Sequence, residues 1–273
     1  MIGVLISTMA NRVDNLSESH FPTDAGIQYF IIIQGCAAGE EKVIRDRVSE
    51  KMSSALVFFL DKKGLANNRN HCLEIACSYN ELEYVYIADD DIKVNISEVK
   101  SLAERMRVDC VDLGAGRVST PAGWFKNYTV NEYDINIIQA AKISSVEIII
   151  KIDFIKNNNI RFDSLFGLGS YYPSGEEFIF VSDVLRAKGK ARFYPITLCE
   201  HPPVSSGKDF FTNNEKIEAK GAMLYRVFGV YGYMYMFVFA LKKYSKYRRE
   251  ISFLKFNYFL IKGSLKYKSI IIK

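Results

Sequence analysis

Through the first half of the chain, short apolar runs alternate with stretches whose apolar residues recur at helical spacing. The runs at residues 2–7, 28–34, 55–60 and 83–88 read as strands, and the intervening 39–51 and 68–79 read as helices. Strand–helix–strand alternation predicts βαβ units, hence an α/β fold with a mainly parallel sheet. Beyond residue 91 the signal mixes: 97–107 and 176–188 carry helical spacing, while 146–152 is apolar enough for a buried strand. Residues 202–214, rich in Ser, Gly, Asn and Pro, read as a loop. This loop sets the expected edge between a catalytic domain, residues 1–210, and a tail, residues 211–273.

The tail has its own pattern. Two apolar, aromatic runs, residues 227–241 (VFGVYGYMYMFVFAL) and 251–261 (ISFLKFNYFLI), flank a basic cluster at 242–249. Each is shorter than the roughly 20 apolar residues that span a bilayer, so interfacial helices are expected, with Lys and Arg reaching anionic headgroups. A helical hairpin packed on the domain, or a homodimer interface, gives the same pattern. Nucleic acid binding is disfavoured, because the aromatics stand in long apolar runs rather than singly among basic residues.

Charge sharpens this division. Ten Lys or Arg stand against Glu250 alone in residues 242–273, a charge of +9, so the preceding residues carry −4 of the net +5. At 273 residues and 49% hydrophobic content the chain can bury one sizeable core with an appendage. Its 5 cysteines are odd in number and contain no Cys-x-x-Cys pair, which suggests neither a disulfide framework nor a zinc site. The start lacks a basic leader, so a cytoplasmic location is expected, peripheral to the inner face of the cell membrane.

The strongest local signal is the apolar strand that runs from Glu83 into Asp89, Asp90 and Asp91. In open α/β sheets, ligands bind beyond the carboxyl ends of strands, and oxygen-rich carboxylate sites suit Mg²⁺ or Mn²⁺ held together with substrate phosphates. A solvated strand-end turn or helix cap would use Asp as readily. Upstream, Gly64 permits close backbone approach, and Arg69 at a helix start can meet a diphosphate or fork a carboxylate. An ordinary surface ion pair is the plainer alternative for Arg69.

Gly64-Leu65-Ala66-Asn67-Asn68-Arg69-Asn70, followed by Tyr86-Ile87-Ala88-Asp89-Asp90-Asp91, resembles the Gly-Leu-Ser-x-Ala-Arg-Asn segment and Asp-x-Asp strand end of family-2-type GT-A glycosyltransferases. Ala66 and Asn68 depart from that family's Ser and Ala. Gly175-Glu176-Glu177-Phe178 is similar to its Gly-Glu-Asp-x-Glu-Phe region, with Ile179 where a second Glu is usual. Gly189 and the aromatic-proline strand at 192–195 follow as in the family. The resemblance covers residues 1 to about 205 and leaves the tail outside.

What the resemblance implies is a Rossmann-like GT-A domain that binds a nucleotide sugar. Gly64, Leu65 and Arg69 would help bind the nucleotide, with Thr8 and Arg12 lining its pocket. Gln34 would replace an absent acidic residue by hydrogen bonding to the base. Asp89 and Asp91 would be the Asp-x-Asp pair for Mn²⁺ or Mg²⁺, Asp91 as direct ligand, and Asp89 and Asp90 toward the ribose or nucleotide. His201 would complete the metal shell. Glu177 would be the base that activates the acceptor, with Glu176 as alternative; both also suit the first turn of a helix.

The reaction implied is inverting transfer of a sugar to a hydroxyl of a lipid-linked or oligosaccharide acceptor in bacterial surface polysaccharide synthesis. A sugar nucleotidyltransferase would need a Gly-rich basic loop that residues 9–15 lack, and a catalytically inactive binding subunit would not need Asp89, Asp91 and Glu177.

Overall fold

The computed structural model describes residues 1–203 and 213–272. Most of the expected loop at 202–214, and the expected boundary at 210, lie outside the described residues. Among those described, one mixed sheet holds β1 (Ile2–Met9), β2 (Ile27–Gln34), β3 (Leu56–Leu60), β4 (Tyr84–Asp89), β5 (Lys93–Val94), β6 (Leu113–Thr120), β7 (Gly123–Trp124), β8 (Tyr133–Asp134), β9 (Ile148–Lys151) and β10 (Ala191–Glu200). The helices are α1 (Glu41–Lys51), α2 (Leu65–Cys77), α3 (Ile96–Val108), α4 (Ile137–Ala140), α5 (Ile152–Asn158), α6 (Glu176–Arg186), α7 (Asn214–Phe228), α8 (Gly232–Tyr247) and α9 (Phe253–Ile271).

The main strand order is β3-β2-β1-β4-β9-β6-β10-β5. The first four strands are parallel, as the βαβ alternation predicts. The sheet then departs from the parallel expectation, because β9 runs antiparallel to both β4 and β6. The chain leaves β6 and returns at the same end of the sheet, and a parallel neighbour would require a crossover to the other end. The expected strand at 146–152 is correspondingly shorter, with a 3₁₀ turn at Ser145–Glu147 before it and α5 beginning at Ile152.

Side-chain alternation builds a core on each face of the sheet. Val85 and Ile87 of β4 join the core containing α2, α5 and α6, whereas Tyr84, Tyr86 and Ala88 join the core containing α1 and α3. The first core continues without interruption into α7, α8 and α9 through Ile217, Ala222, Met236, Phe256 and Leu260.

Two of the tail helices, α7 and α9, are therefore built into the body of the sheet domain. Arg226 of α7 donates to Asp163 at 2.9 Å and to Asp183 at 2.7 Å. Helices α7 and α9 cross at van der Waals range: a Cβ on Gly221 would lie 1.8 Å from the Leu260 carbonyl oxygen, and one on Gly263 would lie 1.9 Å from that of Glu218. The apolar run at 227–241 is not one helix. α7 ends at Phe228, Gly229 turns the chain at φ 57°, and α8 restarts at Gly232 and continues through the basic cluster to Tyr247. Together residues 214–247 are long and apolar enough, by length and composition, to cross a membrane.

Candidate active site

The register of β1 against β4 pairs Ser7 with Asp89, which brings Thr8 and the acidic run together at the carboxyl edge of the sheet. The three adjacent acids then diverge. Asp90 is buried: its carboxylate accepts from Thr8 Oγ1 at 2.5 Å and from Arg12 Nε at 3.0 Å and Nη2 at 2.5 Å. Asp89 and Asp91 face the open edge, their side chains 31% and 32% exposed. Arg12 also donates to Asp91 Oδ2 at 3.0 Å, so this cation closes one flank of the acids.

Gly64, at φ 101°, adopts a backbone conformation that L side chains rarely enter, and a Cβ there would come within 2.9 Å of Ser170 Oγ. The next residue, Leu65, donates its N–H to the Leu168 carbonyl at 2.9 Å, locking the start of α2 to the 167–170 loop. Gln34 is buried, and its amide nitrogen donates to the Lys62 carbonyl and, at 3.2 Å, to that of Gly64. Its amide donors thus hold the turn that leads into Gly64.

One helical turn later Arg69 points inward, 3% exposed. Its Nη2 donates to Asp89 at 3.1 Å and to Ser145 Oγ at 2.7 Å; its Nη1 donates to Glu176 at 3.4 Å and lies 3.7 Å from Glu177. Burial opposes the guanidinium charge, but Asp89, Glu177 and Glu176 outweigh it and raise the pKa. One buried cation therefore clips the acidic strand end to the acidic start of α6, 107 residues further on.

The two glutamates differ in exposure. Glu176 is buried and its Oε2 has no hydrogen-bond partner among the described residues. Burial, then the neighbouring Glu177 charge, push its carboxyl up to about 7 against the pull of Arg69. Glu177 is partly exposed, at 24%. Lys220 of α7 belongs to the same electrostatic group: burial lowers its pKa while Glu177 and Glu176 raise it. Sequence reading missed Lys220 because it did not foresee α7, and missed Ser145 because nothing local ties it to Arg69.

His201 follows β10, and its Nε2 stands 4.0 Å from Asp91 Oδ1. Its Nδ1 donates to the Pro202 carbonyl at 2.7 Å, which in the neutral ring leaves Nε2 as an acceptor. Two acceptors facing each other at this range suit a cation between them. Among the described residues no group of three or more His, Cys, Asp or Glu is clustered for metal binding. Asp91 and His201 thus fit a divalent ion that takes its remaining oxygens from phosphate and water.

Phe125 stacks obliquely on His201, ring centroids 5.3 Å apart. The next residue, Lys126, begins an open cleft of about 750 Å³ lined also by Asn127, Tyr128, Tyr133, Gln139 and Phe193. Glu147 in its wall is paired with Lys126 at 2.9 Å and accepts a hydrogen bond from Tyr128.

A parallel half continued by a mixed half, with acids at the carboxyl edge of β4, defines this fold as GT-A. Solved structures of S. aureus TarS share it. TarS 1–349 in complex with UDP-GlcNAc matches with a TM-score of 0.62 at 14% identity, covering 91% of this chain and 74% of that one. The complex with UDP gives 0.59 at 14% identity, covering 89% and 72%, and the longer TarS structure gives 0.60 at 15%, covering 89% and 43%. At such identities the likeness is one of fold. No protein-family model and no curated protein matches the sequence.

Proposed function

We propose that this chain is a glycosyltransferase that moves a sugar from a nucleoside-diphosphate donor to a hydroxyl of a lipid-linked or oligosaccharide acceptor in bacterial surface polysaccharide synthesis. The observation that carries the reading is the Arg69 clip, which holds a diphosphate-side carboxylate, Asp89, and an acceptor-side pair, Glu176 and Glu177, within reach of one guanidinium. TarS, which shares the fold, is captured with UDP-GlcNAc and with UDP, which supports a uridine diphosphate sugar as donor.

In this reading Glu177 takes the proton of the acceptor hydroxyl as its oxygen attacks the anomeric carbon. The bond from that carbon to the diphosphate breaks, and the departing group keeps the electron pair. A single displacement of this kind inverts the anomeric centre. Glu176 fixes Arg69, and Arg69 fixes the orientation of Asp89 and Glu177. Asp91 and His201 would hold Mn²⁺ or Mg²⁺, with Asp89 beside them; such an ion, when bound, supplies positive charge to the leaving diphosphate. The cleft beginning at Lys126 offers amide and aromatic side chains to the acceptor saccharide.

The test is turnover across a panel of nucleotide sugars, UDP-GlcNAc included, with Mn²⁺ or Mg²⁺, for the native chain, Glu177→Gln and Asp91→Ala. Glu177→Gln is expected to keep donor binding and lose about 10²- to 10⁴-fold in kcat. Asp91→Ala is expected to lose metal-dependent turnover. If no nucleotide sugar binds with or without metal, the catalytic reading fails and a non-catalytic binding subunit replaces it.

A further inference from the structure

Helix α8 presents Val230, Met234, Phe237, Val238 and Leu241 on and just before one side, and all five are exposed. Helix α9 presents Leu254, Tyr258, Ile261 and Leu265, also exposed and spaced by three or four residues. These side chains are between 43% and 80% exposed, and the stripes adjoin where Phe237 meets Phe253 at 5.8 Å. The opposite sides of both helices are spent: Met236, Ala240, Phe256 and Leu260 lie in the core. An apolar surface of this extent marks a partner, since isolated surface apolar residues do not gather in stripes.

Charge decides which partner. The exposed cations Lys242, Lys246, Arg248 and Arg249 follow directly on the α8 stripe, within the segment of net charge +9. A second copy of the chain would set two such segments against each other. An anionic lipid surface would neutralise them while its acyl boundary covers the apolar stripe.

We propose that the outer faces of α8 and α9 form a docking surface for an anionic bilayer, lying in its plane rather than crossing it. Hydropathy by itself allows residues 214–247 to span. The fold does not: Ile217, Ala222, Met223 and Val227 of α7 are buried in the catalytic core, and Arg226 is tied to Asp163 and Asp183. That leaves α8, whose 16 residues extend about 24 Å, against a hydrocarbon core of about 30 Å. Its last turns carry Lys242, Lys243 and Lys246, which belong at the headgroups. Because α7 brings Lys220 to Glu176 and Glu177 and leads directly into α8, docking would hold the active site at the membrane surface. The inference stands on exposed surface and charge, independently of the sugar-transfer reading.

The test is flotation of the full chain with phosphatidylcholine vesicles, with and without phosphatidylglycerol. Alongside it run the pairs Phe237→Ser with Leu241→Ser, and Lys242→Glu with Lys246→Glu, each checked for an unchanged thermal melt. The native chain is expected to float with the anionic vesicles, to be released by salt or alkaline carbonate, and to lose at least about tenfold in affinity in either pair. No flotation, or flotation unchanged in both pairs, overturns the proposal. Equal, salt-insensitive binding to neutral vesicles overturns its charge component, and resistance to carbonate overturns the in-plane geometry in favour of a span. A native dimer that the serine pair converts to monomer, without vesicle binding, assigns the face to self-association instead.

Discussion

Arg69 is the residue on which most of the site depends. A buried guanidinium beside Asp89, Glu176 and Glu177 is stabilising only while those acids share it, and removing one partner of a buried pair leaves charge uncompensated. Arg69→Met is therefore expected to cost about 3–5 kcal/mol in urea unfolding, and to lose activity even where the fold survives. Glu176 makes a complementary prediction. Its pKa is raised from 4.5 to about 7, mainly by burial, so the native state holds an extra proton between those values. Stability attached to this group is thus greatest at and below pH 4.5 and declines as pH rises through that window. Glu176→Gln removes this dependence: relative to the variant, the native chain is expected to lose on the order of 2–3 kcal/mol between pH 5 and pH 8, read by denaturant titration. At this scale the candidates Asp89, Asp91 and Glu177 could be picked out in the sequence, since Asp89 ends β4, Asp91 lies just beyond it and Glu177 stands in the first turn of α6. The inward turn of Asp90 was not, because three neighbouring aspartates carry the same local signal.

Among the elements, the crossing of α7 and α9 is the most constrained. It exists because Gly221 and Gly263 let two helix backbones touch, and each site has a carbonyl oxygen where a Cβ would be. Gly221→Ala and Gly263→Ala are each expected to force the helices apart, at a cost of about 1–3 kcal/mol or more, visible as a lower Tm. In an exposed helix the same change would stabilise, since alanine is the better helix former. Helix α7 was missed although its cap is conventional: Asn213 accepts from the N–H groups of Glu215 and Lys216. Its apolar positions are diluted by Glu218 and Lys220, whose charges are met by Lys262 and Lys266 on α9 and by the glutamates of α6. Long-range neutralisation of that kind leaves no trace in local periodicity.

For the whole molecule, the question is whether the tail is an appendage. One core runs from α2, α5 and α6 into α7 and α9. A chain cut at residue 210 would expose Phe166, Tyr172 and Phe178, which pack there against Tyr267 and Phe228. Such a truncation is expected to lose its cooperative thermal transition, whereas an independent catalytic domain would keep it. The charge division belongs to the same scale: under the proposed docking, a −4 body with a +9 end would orient the molecule toward an anionic surface before any contact forms.

The sequence by itself determined the parallel strands β1 to β4, the helix beginning near Arg69 and the carboxylates at the end of β4. Apolar period and strand-end composition are local, and each is written in a few consecutive residues. Only the tertiary structure decided which acids share Arg69, that Gln34 holds a turn, that β9 reverses the sheet, and that α7 is core while the outer face of α8 is not. Those outcomes depend on side chains and backbones brought together from 20 to more than 100 residues apart. The amphipathic pattern of a tail helix is the same whether its apolar side meets protein or lipid; packing assigns it.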